Sequence, residues 1–518
     1  MSRAAALRTP SGASGLLVAG TSSDAGKSLV VTGLCRALVR RGIDVAPYKA
    51  QNMSNNSGVC ADGSEIGRAQ ILQAAAARLE PTSAMNPVLL KPGTDRRAHV
   101  VVRGRAAGVL EAGQYATGRR HLAEAAWAAY AELEASHDLV VCEGAGSPAE
   151  INLRSGDYVN LGLARRFGLP VVVVGDIDRG GVLASLYGTV ALLEPEDRAL
   201  VRTFLINKFR GDPDVLAPGL TEITRRTGVP FAGVLPWLDG VWLDAEDSLE
   251  VGAWRRSLRG ADGGRLRVAV VRLPRVSNAT DVEALAAEPG VEVLVTTDPE
   301  VVAGADLAVL PGTRATFSDL AWLRRTGVAD AVLDRAHRGA PLLGICGGYQ
   351  MLGLRVEDPD GVEADATEVE GLGLLPIVTK FAAEKTLGRP AGAWQGHGVR
   401  AYEIHHGRAE RVPSVVGGAA SDDPVDGFLD GWRSGSTWGT VWHGTFENDG
   451  FRRAWLAEVA AASGSSWTPA PDAPAYGARR EAMVDALADA VEEHLDVDLL
   501  LAGTRVGARV GSSAGAAS

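Results

Sequence analysis

Short aliphatic runs with few polar interruptions recur through the first half of the chain: LLVAG (16–20), DLVVCEG (138–144), PVVVVGDID (170–178), TFLINKF (203–209) and VPFAGVLP (229–236). A strand with one wet face alternates polar and apolar residues. These runs do not alternate, so both of their faces must be covered, as in a parallel sheet flanked by helices. Ala-rich windows at 69–79 and 121–135, with Ser28–Arg41, supply helices between the strands. The reading is a doubly wound α/β domain that binds ligands at the carboxyl ends of its strands. A polar, Gly-containing stretch (RRSLRGADGG, 255–264) then interrupts, and the pattern restarts at 265–274, 291–297, 306–312 and 341–348. At 518 residues the chain exceeds a single core. The expected plan is a flexible start over 1–14, a first domain over 15–254, a linker over 255–264 and a second α/β domain over 265–500. A small-residue tail over 501–518 is expected to be disordered.

The stretch GTSSDAGKS (20–28) follows the first run and opens a helix. Glycine lets the backbone curl round a phosphate, which the freed amides and the helix dipole attract. Lys27 adds a positive charge, and Ser28 offers a hydroxyl to magnesium. Gly20 and Gly26 enclose five residues where the standard phosphate loop has four, so this is a lengthened variant. The expected ATP contacts are Gly20, Thr21, Asp24, Ala25, Gly26, Lys27 and Ser28, with Asp24 either facing the transferred phosphate or capping the helix. Asn207, at the end of the 203–209 run, stands where related folds recognise the base. Glu143, at the end of its strand, is the expected second magnesium ligand beside Ser28. Asp176 and Asp178 end another strand, within reach of metal or substrate.

A second constellation lies in GICGG (344–348), an apolar strand turning sharply into a helix. Small residues flank Cys346 as in a nucleophile elbow, and a helix N-terminus favours its thiolate. The amide of Gly347 and that of Gly312, in the turn after the preceding strand, are the expected oxyanion donors. Among nine histidines the best placed partner is His443, in TWGTVWHGTFEND (437–449). His405 and His406 compete, but adjacent residues on a strand point to opposite faces, so at most one joins the site. No orienting carboxylate declares itself, and the expectation is a Cys–His pair. The other three cysteines, Cys35, Cys60 and Cys142, form no CxxC pair and suggest neither disulfides nor zinc.

A cysteine glutaminase releases ammonia and an ATP site activates a carboxylate, so the two together read as glutamine-dependent amidation. A net charge of −11 argues against nucleic-acid partners. With no apolar run long enough to span a bilayer and no signal-peptide core, the expectation is a cytoplasmic enzyme of small-molecule substrates, off the membrane. No pattern sets an oligomeric state, and no tightly bound prosthetic group is expected beside ATP and Mg2+.

The chain also resembles the cobyric acid synthase family, the glutamine-dependent amidotransferases of cobalamin biosynthesis. The resemblance is carried by GTSSDAGKS (20–28), APYKAQNMSNNSG (46–58), DGSEIGRAQ (62–70), MNPVLLKP (85–92), EGAGSPAEINL (143–153), DIDRGGV (176–182) and INKFRGD (206–212). It continues through RLPRVSN (272–278), LGICGGYQMLG (343–353) and the His443 segment. It implies a P-loop NTPase-like, dethiobiotin-synthetase-like domain joined to a class I glutamine amidotransferase-like domain. It further implies amidation of the b, d, e and g carboxylates of (adenosyl)cobyrinic acid a,c-diamide, with Cys346 and His443 as the glutaminase pair. The doubled His405-His406 departs from the family pattern, in which a single His precedes an apolar residue. An anionic corrinoid calls for local cations, and Lys49, Lys91, Arg96, Arg97 and Arg179 are the candidates. The rival readings are the sister a,c-diamide synthase and a ParA/MinD-like partitioning ATPase switch, which would leave the GICGG elbow without a purpose.

Overall fold

The computed structural model describes residues 12–93, 97–111, 120–241, 264–412 and 425–508. The expected linker up to residue 263, residues 1–11, Arg96 and the tail beyond residue 508 lie outside them. In the first half six parallel strands form one sheet in the order Phe231–Pro236, Val201–Phe209, Val171–Asp176, Gly15–Gly20, Leu139–Glu143, Val45–Tyr48. Both faces are covered, as the uninterrupted aliphatic runs require. Along the central strand Leu16 and Val18 belong to one core and Leu17 and Ala19 to another, and all four are fully or almost fully buried. The expected helices form at Lys27–Arg40, Arg68–Ala76 and Arg120–Ser136. A four-stranded sheet of Gln51–Met53, Val88–Pro92, Arg97–Val102 and Arg105–Glu111 flanks this domain, and its short strands were not foreseen.

The second half is built on seven strands in the order Val291–Thr296, Leu266–Val271, Leu307–Leu310, Leu342–Ile345, Thr437–Thr440, Gly431–Ser434, Val425–Phe428. The first five are parallel and the last two run antiparallel to form an edge. A further antiparallel pair, Ile377–Gly388 with Glu403–Arg411, packs Leu387 and Ile404 against Val59 of the first domain.

The chain's end corrects the expected domain limits. Helix Tyr476–His494 starts in the second domain, whose core holds Tyr476, and from Met483 on it crosses with Val497–Leu501 to the first. Met483, Val484, Ala488, Val491, Leu500 and Leu501 join the core formed by helix Lys27–Arg40 on the first sheet. The buried Arg36 guanidinium reaches across to Glu481 at 2.9 Å and Asp485 at 2.8 Å. Residues 501–508 are ordered, and Thr504 bridges back to Ala13.

The two domains meet through specific polar contacts. Glu65 of the first, fully buried, accepts from Lys91 at 2.6 Å and from Lys385 of the second domain at 2.6 Å. Ser57 N donates to Asn278 Oδ1 at 2.9 Å, and Ala279 N donates to Asn56 Oδ1 at 3.2 Å.

Candidate active site

The phosphate loop leaves the carboxyl end of the central strand, where Gly20 pairs in register with Val174 and Val18 with Glu143. Asp24 (φ +56°) and Gly26 (φ +94°) give the loop its left-handed bends. At Gly26 a Cβ would fall 1.9 Å from Asn207 Nδ2, so only glycine fits. Thr21 N is tied to Val174 O at 2.9 Å. Lys27 Nζ folds back to Ser22 O at 2.9 Å and Gly146 O at 3.4 Å, over the mouth of the loop. Asn207, expected to face a base, donates from Nδ2 to Ala25 O at 3.0 Å and so braces the loop itself. Gly26, the N-cap, has no side-chain cap, and Asp24 instead pairs with Arg179 at 3.2 Å.

Ser28 Oγ lies 2.9 Å from Glu143 Oε1, so the two expected magnesium ligands are adjacent. Burial pushes the Glu143 carboxyl up, but Lys49, Gln73 and Lys27 outweigh it and hold the group below the usual carboxylate range. An ionised carboxylate beside a hydroxyl is a hard-oxygen donor set that fits Mg2+, which takes its remaining ligands from water and phosphate. Asp176 is engaged by Lys208 at 2.8 Å, and Asp178 by Arg210. Of the corrinoid-binding candidates, Lys49 and Lys91 are buried against Glu143 and Glu65, and Arg179 is exposed. Arg97 opens the strand Arg97–Val102.

Beside the phosphate loop lies a cavity of about 310 Å³. One wall is Asp24, Lys27 and Gly146, and another is Asn52–Asn56. The third comes from the other domain: Pro274, Arg275 and Val276.

At the second constellation Cys346 takes φ +48° and ψ −109° between the strand Leu342–Ile345 and the helix Gly347–Leu352. An L-residue is held there only by its surroundings. A Cβ on Gly348 would meet Leu310 O at 2.0 Å, and one on Gly344 would meet the Tyr349 backbone at 2.7 Å, so the elbow closes only because both are glycine. Cys346 N donates to Thr440 O at 2.8 Å. The two glycines expected to aid the oxyanion sit against this corner: a Cβ on Gly312 would lie 3.2 Å from His443 Cε1, and one on Gly347 3.0 Å from Thr313 N.

His443 is buried, and its charge draws the Cys346 thiol down. Its Nδ1 lies 2.6 Å from Asp281 Oδ2, while Gly444 N donates to Asp281 Oδ1 at 2.9 Å. Asp281 is thus the orienting carboxylate that the sequence reading left unnamed. It follows the first strand of the second sheet, at the carboxyl end where such sheets place their functional groups, and that position was its available signal. Burial opposes charge on both partners. His443 nevertheless rises well above an ordinary imidazole through Asp281 and Cys346, and the Cys346 thiol falls below its ordinary value through His443 and then His405. Burial raises the other three thiols, Cys60 to about 11. Of the adjacent histidines, His405 is the one whose charge acts on Cys346. His406 accompanies Ala382 O and is pushed down to about 4 by burial and Arg314.

Residues 16–251 match the CobQ/CobB/MinD/ParA nucleotide binding domain, and residues 267–451 match the CobB/CobQ-like glutamine amidotransferase domain. The chain is 64% identical over 488 residues to the cobyric acid synthase of Cutibacterium acnes, covering 94% of this chain and 99% of that one. It belongs to the cobyric acid synthase family. Other members include the cobyric acid synthases of Mycolicibacterium vanbaalenii, 57% identical over 492 residues, and Mycobacterium tuberculosis, 55% over 495. Each covers 94% of this chain and 96% of the relative. As a member of this family the protein is a glutamine-dependent carbon–nitrogen ligase of cobalamin biosynthesis. A partitioning ATPase is thereby excluded, although its nucleotide fold is shared.

Proposed function

We propose that this enzyme amidates the b, d, e and g carboxylates of (adenosyl)cobyrinic acid a,c-diamide to give (adenosyl)cobyric acid, using one ATP and one glutamine for each. The observation that carries the reading is the union, in one chain of this family, of the Cys346–His443–Asp281 set with a phosphate loop. The cavity beside that loop has walls from both domains.

In the glutaminase half-reaction the Cys346 thiolate attacks the side-chain amide carbon of glutamine. Backbone amides at Gly347 and Gly312 receive the developing oxyanion. The His443 imidazolium delivers its proton to the departing nitrogen, the C–N bond breaks, ammonia leaves, and the glutamyl thioester stays on Cys346. Water, deprotonated by His443, then cleaves the thioester to glutamate. Asp281 on Nδ1 keeps the ring aimed and stabilises its charged form.

In the synthetase half-reaction a corrinoid carboxylate oxygen attacks the γ-phosphorus of ATP, ADP leaves, and an acyl phosphate results. Ammonia adds to the acyl carbon, and phosphate departs with formation of the amide. Lys27 and the amides of Gly20–Ser28 hold the phosphates. Ser28 and Glu143 would hold Mg2+, which neutralises phosphate charge when bound.

Mass spectrometry of the corrinoid after incubation with ATP, Mg2+ and glutamine tests the reading. Four successive exchanges of hydroxyl for amino on the a,c-diamide are expected. Two exchanges on cobyrinic acid and none on the diamide would assign the sister activity instead.

A further inference from the structure

We infer that Arg314 and Glu363 form the recognition clamp of the glutaminase site, Arg314 for the α-carboxylate of glutamine and Glu363 for its α-ammonium. The inference rests on the reading of Cys346 as the glutaminase nucleophile. Glutamine carries both charges on one carbon, three bonds from the amide carbon that Cys346 attacks. A site that selects it needs a cation and an anion near each other, set back from the thiol, and not already ion-paired.

One loop supplies that arrangement. It leaves the strand Leu307–Leu310, passes Gly312 and lies along the nucleophile helix Gly347–Leu352. A Cβ on Gly347 would meet Thr313 Cγ2 at 2.6 Å, and Thr316 Oγ1 lies 3.5 Å from Oε1 of Gln350, one turn beyond Cys346. Arg314 stands between these two contacts in sequence, and its N–H donates to Arg275 O at 2.9 Å, which fixes where the side chain starts. Glu363 meets the same loop, since its Oε1 accepts from Phe317 N at 2.9 Å. Its own backbone is held by the Asp358 carboxylate, which accepts from Val362 N, Glu363 N and Ala364 N at 2.8, 2.8 and 2.9 Å.

Neither charge is neutralised. Among the described residues neither side chain has an ion pair, and Arg314 Nε is buried without a hydrogen-bond partner. Three anionic groups act on Arg314: Glu363, Glu65 and Cys346. Glu65 is already bound by Lys91 and Lys385, which leaves Glu363 and the thiol. Burial pulls the Arg314 guanidinium below its ordinary value and pushes the Glu363 carboxyl up to about 7. Groups destabilised in their charged forms gain most from a ligand of opposite charge. An amino-acid zwitterion brings both signs at once, and its planar carboxylate matches the fork of a guanidinium. Both residues are half-buried, so each keeps surface for a ligand to meet.

The test measures hydrolysis, by the full-length enzyme, of L-glutamine and two trimmed analogues. The amide of γ-aminobutyrate lacks the carboxylate, and glutaramate lacks the ammonium. Wild type should lose about 10- to 100-fold in kcat/KM on each analogue, the worth of a charge-assisted hydrogen bond. Arg314→Gln should lose as much on glutamine, mainly through KM, and almost nothing further on γ-aminobutyramide. Glu363→Gln should show the matching pattern with glutaramate, and Arg314→Lys should recover part of the loss. Equal impairment of Arg314→Gln on glutamine and γ-aminobutyramide would make the guanidinium a counter-charge for the Cys346 thiolate and overturn the clamp. An unchanged glutamine KM in both variants would overturn it too. Circular dichroism checks folding, and should Arg314→Gln fail to fold, Arg314→Lys is judged by the same ratio between the two substrates. Glutamine hydrolysis that survives Cys346→Ser would instead refute the reading of the site on which the clamp rests.

Discussion

The Nδ1 atom of His443 lies 2.6 Å from Oδ2 of Asp281, and both side chains are buried. This contact adds a third residue to the cysteine–histidine pair, and the three stand beyond the carboxyl ends of three strands of one sheet. Its effect is electrostatic as well as orienting, because Asp281 holds the imidazolium charged in a buried setting, where the charge in turn favours the Cys346 thiolate.

Replacing Asp281 by Asn should therefore move a titration as well as lower a rate. With Cys346 held below its ordinary value, the acid limb of glutaminase kcat/KM in the wild type lies below the free-thiol pKa of about 8.5. Asp281→Asn leaves the ring uncharged more of the time, so the thiol rises and the acid limb shifts upward. At neutral pH activity should fall about 100-fold, and part of it should return above pH 8.5. A uniform loss with an unmoved limb would limit Asp281 to a steric part.

The two half-reactions separate by nitrogen source. Cys346→Ser should abolish glutamine hydrolysis and glutamine-dependent amidation, while amidation with ammonium salts persists because the phosphate loop is untouched. Lys27→Ala should remove amidation with either donor. Measuring both donors on both variants checks the assignment, and loss of ammonium-driven amidation in Cys346→Ser would contradict it.

The difference between what was and was not legible in the sequence has a physical basis. Chemistry carried by neighbours in sequence was readable: the loop 20–28 and the elbow 344–348 each place backbone, helix terminus and side chain within a few residues. The strand runs were readable because burial on both faces leaves a local signature. Asp281 was not, since its role exists only once the strand Leu266–Val271 lies parallel to Leu307–Leu310 and brings its turn beside residue 443. The strands around 51–111 and the antiparallel pair 377–411 are short or half-polar, and their register is set by tertiary contacts.

Glu65 links the domains through Lys91 and Lys385, and its replacement should loosen that link. Burial raises its carboxyl, but the two lysines outweigh burial and hold it well below the usual carboxylate range. A depressed carboxylate stabilises above its unfolded pKa of about 4.3, and that stability is lost as pH falls through the folded value. Glu65→Gln should cost about 3 kcal/mol at pH 7, because two buried ammonium groups lose their counter-charge. The deficit should shrink in acid, where the wild type loses the same contribution. Thermal melts at pH 7 and at pH values stepped down toward 2 check the sign, and a deficit that stays constant over that range would show that the lost term is packing.

The C-terminal helices make the most direct test of how the chain is partitioned. If 476–508 belonged to the glutaminase domain, truncation after Pro474 would damage glutamine hydrolysis first. Tyr476 and Arg479 hold the start of the segment to the second domain, but the rest points the other way: Met483, Val484, Val491, Leu495, Leu500 and Leu501 pack on the helix that follows the phosphate loop and on its sheet. Uncovering that face removes roughly 10 kcal/mol of apolar burial, at about 1.5–3 kcal/mol for each large side chain. That is comparable with the whole stability of a domain, about 5–15 kcal/mol. The truncation also removes Glu481 and Asp485, the carboxylate partners of Arg36. ATP-dependent amidation with ammonium should therefore be lost, together with the cooperative melt of the first domain, while Cys346 still hydrolyses glutamine at a measurable rate. Retained synthetase activity with a failed glutaminase would reassign the helices to the second domain.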